Sequence, residues 1–172
     1  MEHIFIFKDT DVVTMGRVLL AFILGGVVGF ERQRVQRPAG LRTHMLVAAG
    51  SCCFTVASIY GFEGLGTVRD PARLAAQIIT GIGFLGAGTI FRTGSTVRGL
   101  TTASSIWITA SIGIVAGLGM LLLALFTTAL TWFALYVLKG AEIRRREDGG
   151  GSAGEPSIVA RPRHDDDGEI GE

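Results

Sequence analysis

The carboxylates in the apolar part of the chain are the residues best suited to bind a divalent cation, and they are few. Between residues 12 and 138 the only acidic residues are Glu31, Glu63 and Asp70. A small hard cation such as Mg²⁺ usually binds through one or two carboxylates while it keeps several waters. Any pathway for such a cation within this segment would therefore have to use these three positions.

Asp70, Arg73 and Gln77 are spaced i, i+3 and i+7, which places them on one face of a predicted helix. Arg17 is the single charge inside the first long apolar run. We expect its side chain either to extend outward to the lipid headgroups or to pair with Asp70 or Glu63. The predicted polar site at the outer side consists of Arg17, Asp70, Arg73 and Gln77.

Arginines dominate two predicted loops. The loop after the first apolar run contains four of them, and the loop after the third contains Arg92 and Arg98 with no acidic residue. Glu31 is expected to form an ion pair with Arg32 or Arg34. The candidate cytoplasmic loop site consists of Glu31, Arg32, Arg37, Arg42, Thr43, Arg92, Arg98, Thr101 and Thr102.

Both loops end in a Gly-Leu-x-Thr segment, at residues 40–43 and 99–102, and an offset of 59 residues also aligns Gly29 with Gly88. The matches indicate either two parallel repeats or coincidence in a glycine-rich sequence. In a true repeat, two threonine-capped helix N-termini would attract phosphate or carboxylate groups. The alternative is that these arginines only set the membrane orientation and contact anionic lipids.

Residues for catalysis or transition-metal binding are not grouped in the sequence. His3, His44 and His164 lie far apart, and His44, close to a predicted helix start, is interpreted as an interfacial polar residue. Cys52 and Cys53 are adjacent in an apolar run, where disulfide geometry is hard to reach. No nucleophile stands with a base and an orienting group. We therefore expect no enzymatic activity, and the sequence indicates no cofactor.

Glycines are concentrated in the third apolar run, at Gly81, Gly83, Gly86 and Gly88. They indicate either close helix packing or a helix break that exposes carbonyl groups to a cavity. The G-x-G-x-x-G spacing resembles a nucleotide-binding motif, but no strand precedes it, so we reject that interpretation. The fourth run carries Thr101, Ser104, Ser105, Thr109 and Ser111, and we expect these hydroxyls to bond a neighbouring helix.

Composition indicates that a bilayer surrounds most of the chain. Of 172 residues, 48% are hydrophobic and 18% charged, and the mean hydropathy is +0.46, whereas soluble domains carry about 25% charge. The sequence predicts an all-α fold with five transmembrane helices, and a turn at Gly117 and Gly119 separates the last two. The basic residues form no continuous stripe, so nucleic acid is not an expected partner. The predicted spans are residues 12–30, 41–60, 74–91, 101–118 and 120–138.

The positions of the arginines and lysines predict the orientation. The loops after the odd-numbered spans are basic, and cytoplasmic loops are enriched in these residues. We therefore expect residues 1–11 outside the cell, residues 12–138 as the membrane domain, and residues 139–172 as a short, largely disordered cytoplasmic tail.

Several ordered motifs resemble the MgtC/SapB family of bacterial inner-membrane proteins. The motifs are Glu31-Arg32-Gln33 and the segments at residues 37–44, 70–77, 81–88 and 97–102. The resemblance covers roughly residues 12 to 138. Longer members add a cytoplasmic globular domain after the last helix, whereas here a short low-complexity tail follows.

The resemblance implies a multi-pass inner-membrane protein connected with magnesium limitation and, in pathogens, with survival inside host cells. Members have been described as Mg²⁺ transporters, and some restrain the membrane sector of ATP synthase. We expect magnesium homeostasis through regulation of another membrane complex. The alternatives are a transporter of Mg²⁺ or another ion, and a protein that binds anionic lipids or other anions. The small-residue helix faces make self-association a further expectation.

Overall fold

The computed structural model describes the backbone of residues 9–61, 70 and 72–149. These residues form five helices, the predicted number, and a two-stranded antiparallel hairpin that was not predicted. The elements are α1 (Asp9–Arg34), α2 (Leu41–Tyr60), α3 (Ala72–Ala87), β1 (Phe91–Thr93), β2 (Thr96–Arg98), α4 (Leu100–Gly117) and α5 (Leu121–Gly149).

Glycines allow α1 and α4 to approach α2 closely from two sides. A Cβ atom added at Gly25 of α1 would lie 2.5 Å from the carbonyl oxygen of His44 and 2.7 Å from Cβ of Ala48. A Cβ added at Gly113 of α4 would overlap the Ala48 carbonyl oxygen, and one at Gly117 would lie 2.7 Å from Cβ of Thr55. Ala48 is fully buried between these helices. Small residues therefore hold the three helices at a separation that larger side chains would not permit.

The pair formed by α2 and α4 lies at the centre of the bundle. The two helices run in the same direction, because His44 meets Ser105 near their N-termini and Thr55 meets Gly117 near their C-termini. Helices α1 and α3 each pack against both α2 and α4, and α5 packs against α1 and α4. Within the described residues α1 and α3 form no packing interface, so they flank the central pair on different sides.

Three helices, α1, α2 and α4, are long and apolar enough to cross a membrane. The apolar part of α3, Ala75–Ala87, and that of α5, Leu121–Val137, are shorter. The turn predicted between the last two spans is confirmed, because α4 ends at Gly117 and Gly119 has a φ of +83°. That φ favours glycine, which lacks the Cβ that makes the conformation unfavourable.

The third predicted span, residues 74–91, is too long at its C-terminal end. Helix α3 ends at Ala87, and Phe91 already pairs with Arg98 in the hairpin. Gly94 turns the chain with a φ of +63°, as a two-residue hairpin requires, and β-branched residues flank it. Gly99 then joins the hairpin to α4 with a φ of +92°. Apolar composition alone did not separate the end of the helix from the first strand.

Helix α5 continues beyond the predicted end of the last span, through Lys139 to Gly149. The segment from residue 139 to residue 149 contains alanine, glutamate and arginine, which favour helix and extend α5 beyond its apolar part. The rest of the predicted tail, like Glu63 and the first eight residues, lies outside the described residues.

Candidate functional site

An ion pair between Glu31 and Arg32 is buried at the end of α1. Arg32 Nε donates to Glu31 Oε2 over 2.5 Å, and the two side chains are only 3% and 5% exposed. The Nη2 atom of Arg32 also lies 3.5 Å from the carbonyl oxygen of Leu135 on α5. The predicted ion pair is therefore confirmed. A buried charge is costly unless it is paired. The ion pair therefore allows both charged side chains to lie inside the bundle.

His44 is fully buried beside this pair, so the interpretation as an interfacial residue was wrong. Its Nδ1 atom lies 2.8 Å from the carbonyl oxygen of Gly40, and its Nε2 atom lies 3.1 Å from Oγ of Ser105. Nδ1–H donates to the carbonyl oxygen, while the Ser105 hydroxyl beside Nε2 also donates to the carbonyl oxygen of Thr102 over 2.8 Å. His44 thus joins the N-terminal turns of α2 and α4. In the sequence, the four-residue spacing between Gly40 and His44 was the available indication of this contact. In the structure, Gly29 of α1 faces the His44 side chain.

Glycine, rather than threonine, occupies both N-cap positions. Helices α2 and α4 begin directly after Gly40 and Gly99, and neither of these N-cap residues makes a side-chain cap bond. The prediction of threonine caps was therefore wrong, because Thr43 and Thr102 already lie inside the first helical turn. Instead, the backbone N–H of Leu41 donates to Oε1 of Gln33, which reaches over from the end of α1.

The remaining residues of the predicted loop site divide by exposure. Thr102 is buried, whereas Thr43 and Thr101 are exposed. The arginines of the two connections are also exposed and lie at the end of the bundle where α2 and α4 begin, which we call the arginine end. The site is thus a buried neutral pair beneath a positively charged surface. The exposed residues of the arginine end are Arg34, Arg37, Arg42, Arg92 and Arg98.

Arg17 contacts the opposite end of the bundle, where α4 ends. Its Nη1 atom donates to the carbonyl oxygen of Gly117 over 2.9 Å and lies 3.4 Å from the hydroxyl of Tyr60. A guanidinium group at this position satisfies a free carbonyl of the helix C-terminus and complements the negative end of its dipole. Arg17 therefore joins α1, α2 and α4, a contact that neither predicted alternative had foreseen.

The predicted outer-side site is not assembled around Arg17. Asp70, Arg73 and Gln77 all belong to the α3 side of the bundle, and their side chains are exposed. The backbone N–H of Arg73 donates to the carbonyl oxygen of Asp70 over 3.1 Å, where α3 begins. The hydrogen-bond partners of Arg17 described above, Gly117 and Tyr60, belong to α4 and α2.

Replacing Arg17 with methionine is expected to lower the free energy of unfolding by about 1–3 kcal/mol, since the substitution leaves the Gly117 carbonyl without its charged donor. Arg73→Met is the matched control, because it removes an exposed arginine from α3. Thermal unfolding of the full chain in detergent measures the difference. Equal loss of stability in both variants would contradict this role of Arg17.

The glycines of α3 do not break the helix. Two of them, Gly81 and Gly83, also make no close packing contact within the chain. Helix α3 is continuous from Ala72 to Ala87, which contradicts the alternative of a helix break. A Cβ added at Gly81 or Gly83 would have nothing within 4 Å, and one at Gly86 would reach Cβ of Ala103 at 3.6 Å. A Cβ at Gly88 would meet only the last turn of α3 itself. Close packing within the chain therefore belongs to α1 and α4.

An apolar groove separates α3 from α2. Its volume is about 460 Å³, and its lining includes Gly50 and Phe54 from α2 and Gln77 and Gly81 from α3. A second cavity of about 380 Å³ lies between α3 and α4, beside Gly83. Open cavities therefore border α3 on the sides that face α2 and α4.

The hydroxyl groups of α4 mainly bond their own helix. Thr109 Oγ1 donates to the Ser105 carbonyl oxygen, and Ser104 Oγ donates to that of Leu100. Among the described hydroxyl contacts of α4, that of Ser105 with His44 joins a neighbouring helix. The expectation of hydroxyl bonds between helices was therefore right at a single position. The described residues include no group of three or more His, Cys, Asp or Glu side chains placed to hold a metal ion.

Comparison with known proteins gives a consistent result. The MgtC family model matches residues 18–144. The chain is 45% identical over 125 residues to YhiD of Escherichia coli (strain K12), whose full name describes it as a candidate magnesium transporter. It is 46% identical over 127 residues to protein MgtC of Salmonella typhimurium (strain LT2) and 50% identical over 101 residues to protein MgtC of Brucella abortus.

The aligned region covers 70%, 74% and 59% of this chain and 58%, 53% and 41% of YhiD and the two MgtC proteins. The chain therefore spans about half the length of these relatives. No solved structure matches it significantly. The family model extends over most of the helical bundle, from α1 into α5, and includes both the buried ion pair and the arginine end. The chain belongs to the MgtC family.

Proposed function

We propose that this chain is a non-enzymatic, multi-pass protein of the bacterial inner membrane that serves magnesium homeostasis by regulating another membrane complex. All five helices cross the membrane in this proposal, with the N-terminus outside and the C-terminus in the cytoplasm. The arginine end then lies on the cytoplasmic side, in agreement with the positive-inside rule. Family membership supports the connection with magnesium.

The observation that carries the regulatory proposal is the open groove between α2 and α3. A true sequence repeat would relate α1 to α3 and α2 to α4, through the alignment of Gly29 with Gly88 and Gly40 with Gly99. Helix α5 packs against both α1 and α4. In such a repeat, α1 corresponds to α3 and α4 corresponds to α2. The position that corresponds to that of α5 therefore lies against α3 and α2, where the groove of about 460 Å³ is found. The repeat thus favours an apolar helix from another protein as its occupant.

Two features of the groove fit a transmembrane helix as its ligand. Gly50 and Gly81 have nothing within 4 Å of an added Cβ, so a partner backbone has room to approach there. Gln77 is exposed on the groove and offers both a donor and an acceptor. In hydrocarbon, a partner side chain that bonds this amide would add specificity to the packing. The membrane sector of ATP synthase is the first complex to examine.

A photo-crosslinking residue at Phe54 tests the proposal in living cells under magnesium limitation. Phe54 lines the groove and is 59% exposed, whereas Leu122 on α5 is 83% exposed and provides the lipid-facing control. We expect a defined membrane protein to be captured from Phe54 and not from Leu122. The additional substitution Gly81→Trp should abolish that capture by filling the groove. Capture of a second copy alone, or equal capture at both positions, would contradict regulation through this groove.

Transport of Mg²⁺ is the second candidate, and the name of the similar protein YhiD favours it. A pathway would use Asp70 at the start of α3 and Gln77 two turns further along. Magnesium flux into proteoliposomes containing the purified chain separates the two candidates. Flux that is lost in Asp70→Ala would overturn the regulatory proposal, whereas we expect no flux from the unmodified chain.

A further inference from the structure

The β-hairpin at residues 91–98 plays no part in the proposed function, and all its residues are exposed. Its register places Phe91 opposite Arg98 and Arg92 opposite Val97. Directly opposed residues of an antiparallel pair project from the same face, and successive residues project from opposite faces. Each face of the hairpin therefore combines one arginine with one large apolar side chain.

The hairpin must lie close to the membrane surface. It connects the end of α3 at Ala87 with the start of α4 at Leu100, and α4 is long and apolar enough to cross a bilayer. Gly99 places the second strand directly before α4, and a Cβ at this position would overlap the carbonyl oxygen of Thr89. That close approach and the left-handed φ of Gly99 restrict the position of the hairpin relative to the helix.

The hairpin exposes side chains of two kinds, apolar and basic. Phe91 is 50% exposed and Val97 is 48% exposed, and both flank the arginines of the hairpin. A combination of aromatic and basic side chains is favoured where a membrane changes from hydrocarbon to headgroups, because the apolar part and the charge each find a suitable environment.

The charge of the hairpin has no counterpart in the neighbouring sequence. No aspartate or glutamate occurs between residues 71 and 141. At this end of the bundle, the carboxylate of Glu31 is buried in its pair with Arg32. The Nε atom of Arg92 donates to the carbonyl oxygen of Gly94 over 2.8 Å, which leaves the Nη groups at the end of the side chain to bind an anion. The arginine end thus presents five exposed guanidinium groups.

We propose that the hairpin binds the phosphate headgroups of anionic phospholipids, with Arg92 and Arg98 on the phosphates and Phe91 and Val97 between the headgroups. Charge complementarity selects the anionic lipids, and the apolar side chains distinguish a lipid from a free phosphate ion. The binding goes beyond the groove and does not depend on what occupies it.

Lipid retention by the full chain tests this inference. The chain is purified in a neutral detergent and mixed with phosphatidylglycerol, with phosphatidylcholine or with inorganic phosphate, and native mass spectrometry counts the lipids retained. We expect preferential retention of phosphatidylglycerol that weakens as salt increases. An Arg92→Gln/Arg98→Gln variant should lose about fivefold in preference for each arginine removed. Arg73→Gln, which removes an exposed arginine at the start of α3, is the control and should retain the preference.

Further variants identify the source of the binding. Arg92→Lys/Arg98→Lys keeps both charges and should recover most of the preference if the glutamine variant folds poorly. Phe91→Ser should weaken retention of phosphatidylglycerol without any effect on inorganic phosphate. Full competition by inorganic phosphate would overturn the proposal in favour of a free-anion site. A second result would also overturn the proposal: retention that is unchanged in the glutamine variant and in Phe91→Ser but abolished in Arg37→Gln/Arg42→Gln. The lipid would then bind elsewhere on the chain.

Discussion

Replacing Arg32 with leucine is expected to lower the free energy of unfolding by about 3–5 kcal/mol, because it leaves the Glu31 carboxylate buried without its partner. The Glu31 side chain is only 5% exposed, so water cannot readily replace the lost guanidinium group. The substitution also removes the contact to the Leu135 carbonyl oxygen that connects α1 with α5. Thermal unfolding in detergent and the yield of membrane-inserted protein measure the loss.

Two further variants show whether the effect comes from the buried charge. Glu31→Gln/Arg32→Leu removes both charges, and we expect it to recover much of the stability, since no uncompensated ion remains. Arg34→Leu removes an exposed arginine two residues away and should change stability little. If the double variant is as unstable as Arg32→Leu, the ion pair is not the cause.

Gly113→Ala is expected to lower the free energy of unfolding by at least about 1–3 kcal/mol, the usual range for an overpacked interior. The added methyl group would overlap the carbonyl oxygen of Ala48 and lie 2.8 Å from Cβ of Ser51. Backbone atoms of α2 cannot move aside as the tip of a long side chain can. Helices α2 and α4 would have to separate, and that movement would also stretch the bond between His44 and Ser105.

Gly81→Ala is the matched comparison, and its expected effect has the opposite sign. An added Cβ has nothing within 4 Å at Gly81, and the position lies inside α3. Alanine is favoured over glycine in a helix interior by about 1 kcal/mol, so this variant should be as stable as the original chain or slightly more stable. Thermal unfolding of both variants is the measurement. A similar loss in the two variants would show that their different surroundings do not matter.

Hydropathy and local sequence predicted those features that depend on neighbours along the chain. The end of α2 at Tyr60, the turn at Gly119 and the Glu31–Arg32 pair all follow from residues within a few positions of each other. Five helices were expected and are found. Local sequence also indicated where close packing was possible, since Gly25 and Gly29 have the four-residue spacing of helix contacts.

The features that were missed depend on contacts between distant segments. Burial of His44 requires Ser105 from α4 and a close approach of α1, neither of which local spacing reveals. The polar partners of Arg17 come from Gly117 and Tyr60, 100 and 43 residues further along the chain. Local sequence likewise does not distinguish the glycines. Gly81 and Gly83 of α3 have open surroundings and Gly113 of α4 has crowded ones, although all three lie in apolar helices.

The central position of α4 has a consequence for the order of assembly. Synthesis delivers α1, α2 and α3 before α4, yet both α1 and α3 pack against α4 in the finished bundle. The first two helices can associate at once through Gly25 and Gly29. Helix α3 lacks its contacts with α4 until α4 has been synthesised. Maturation in the membrane therefore does not follow the order of translation, and a chain interrupted before residue 100 would leave α3 without one of its two principal neighbours.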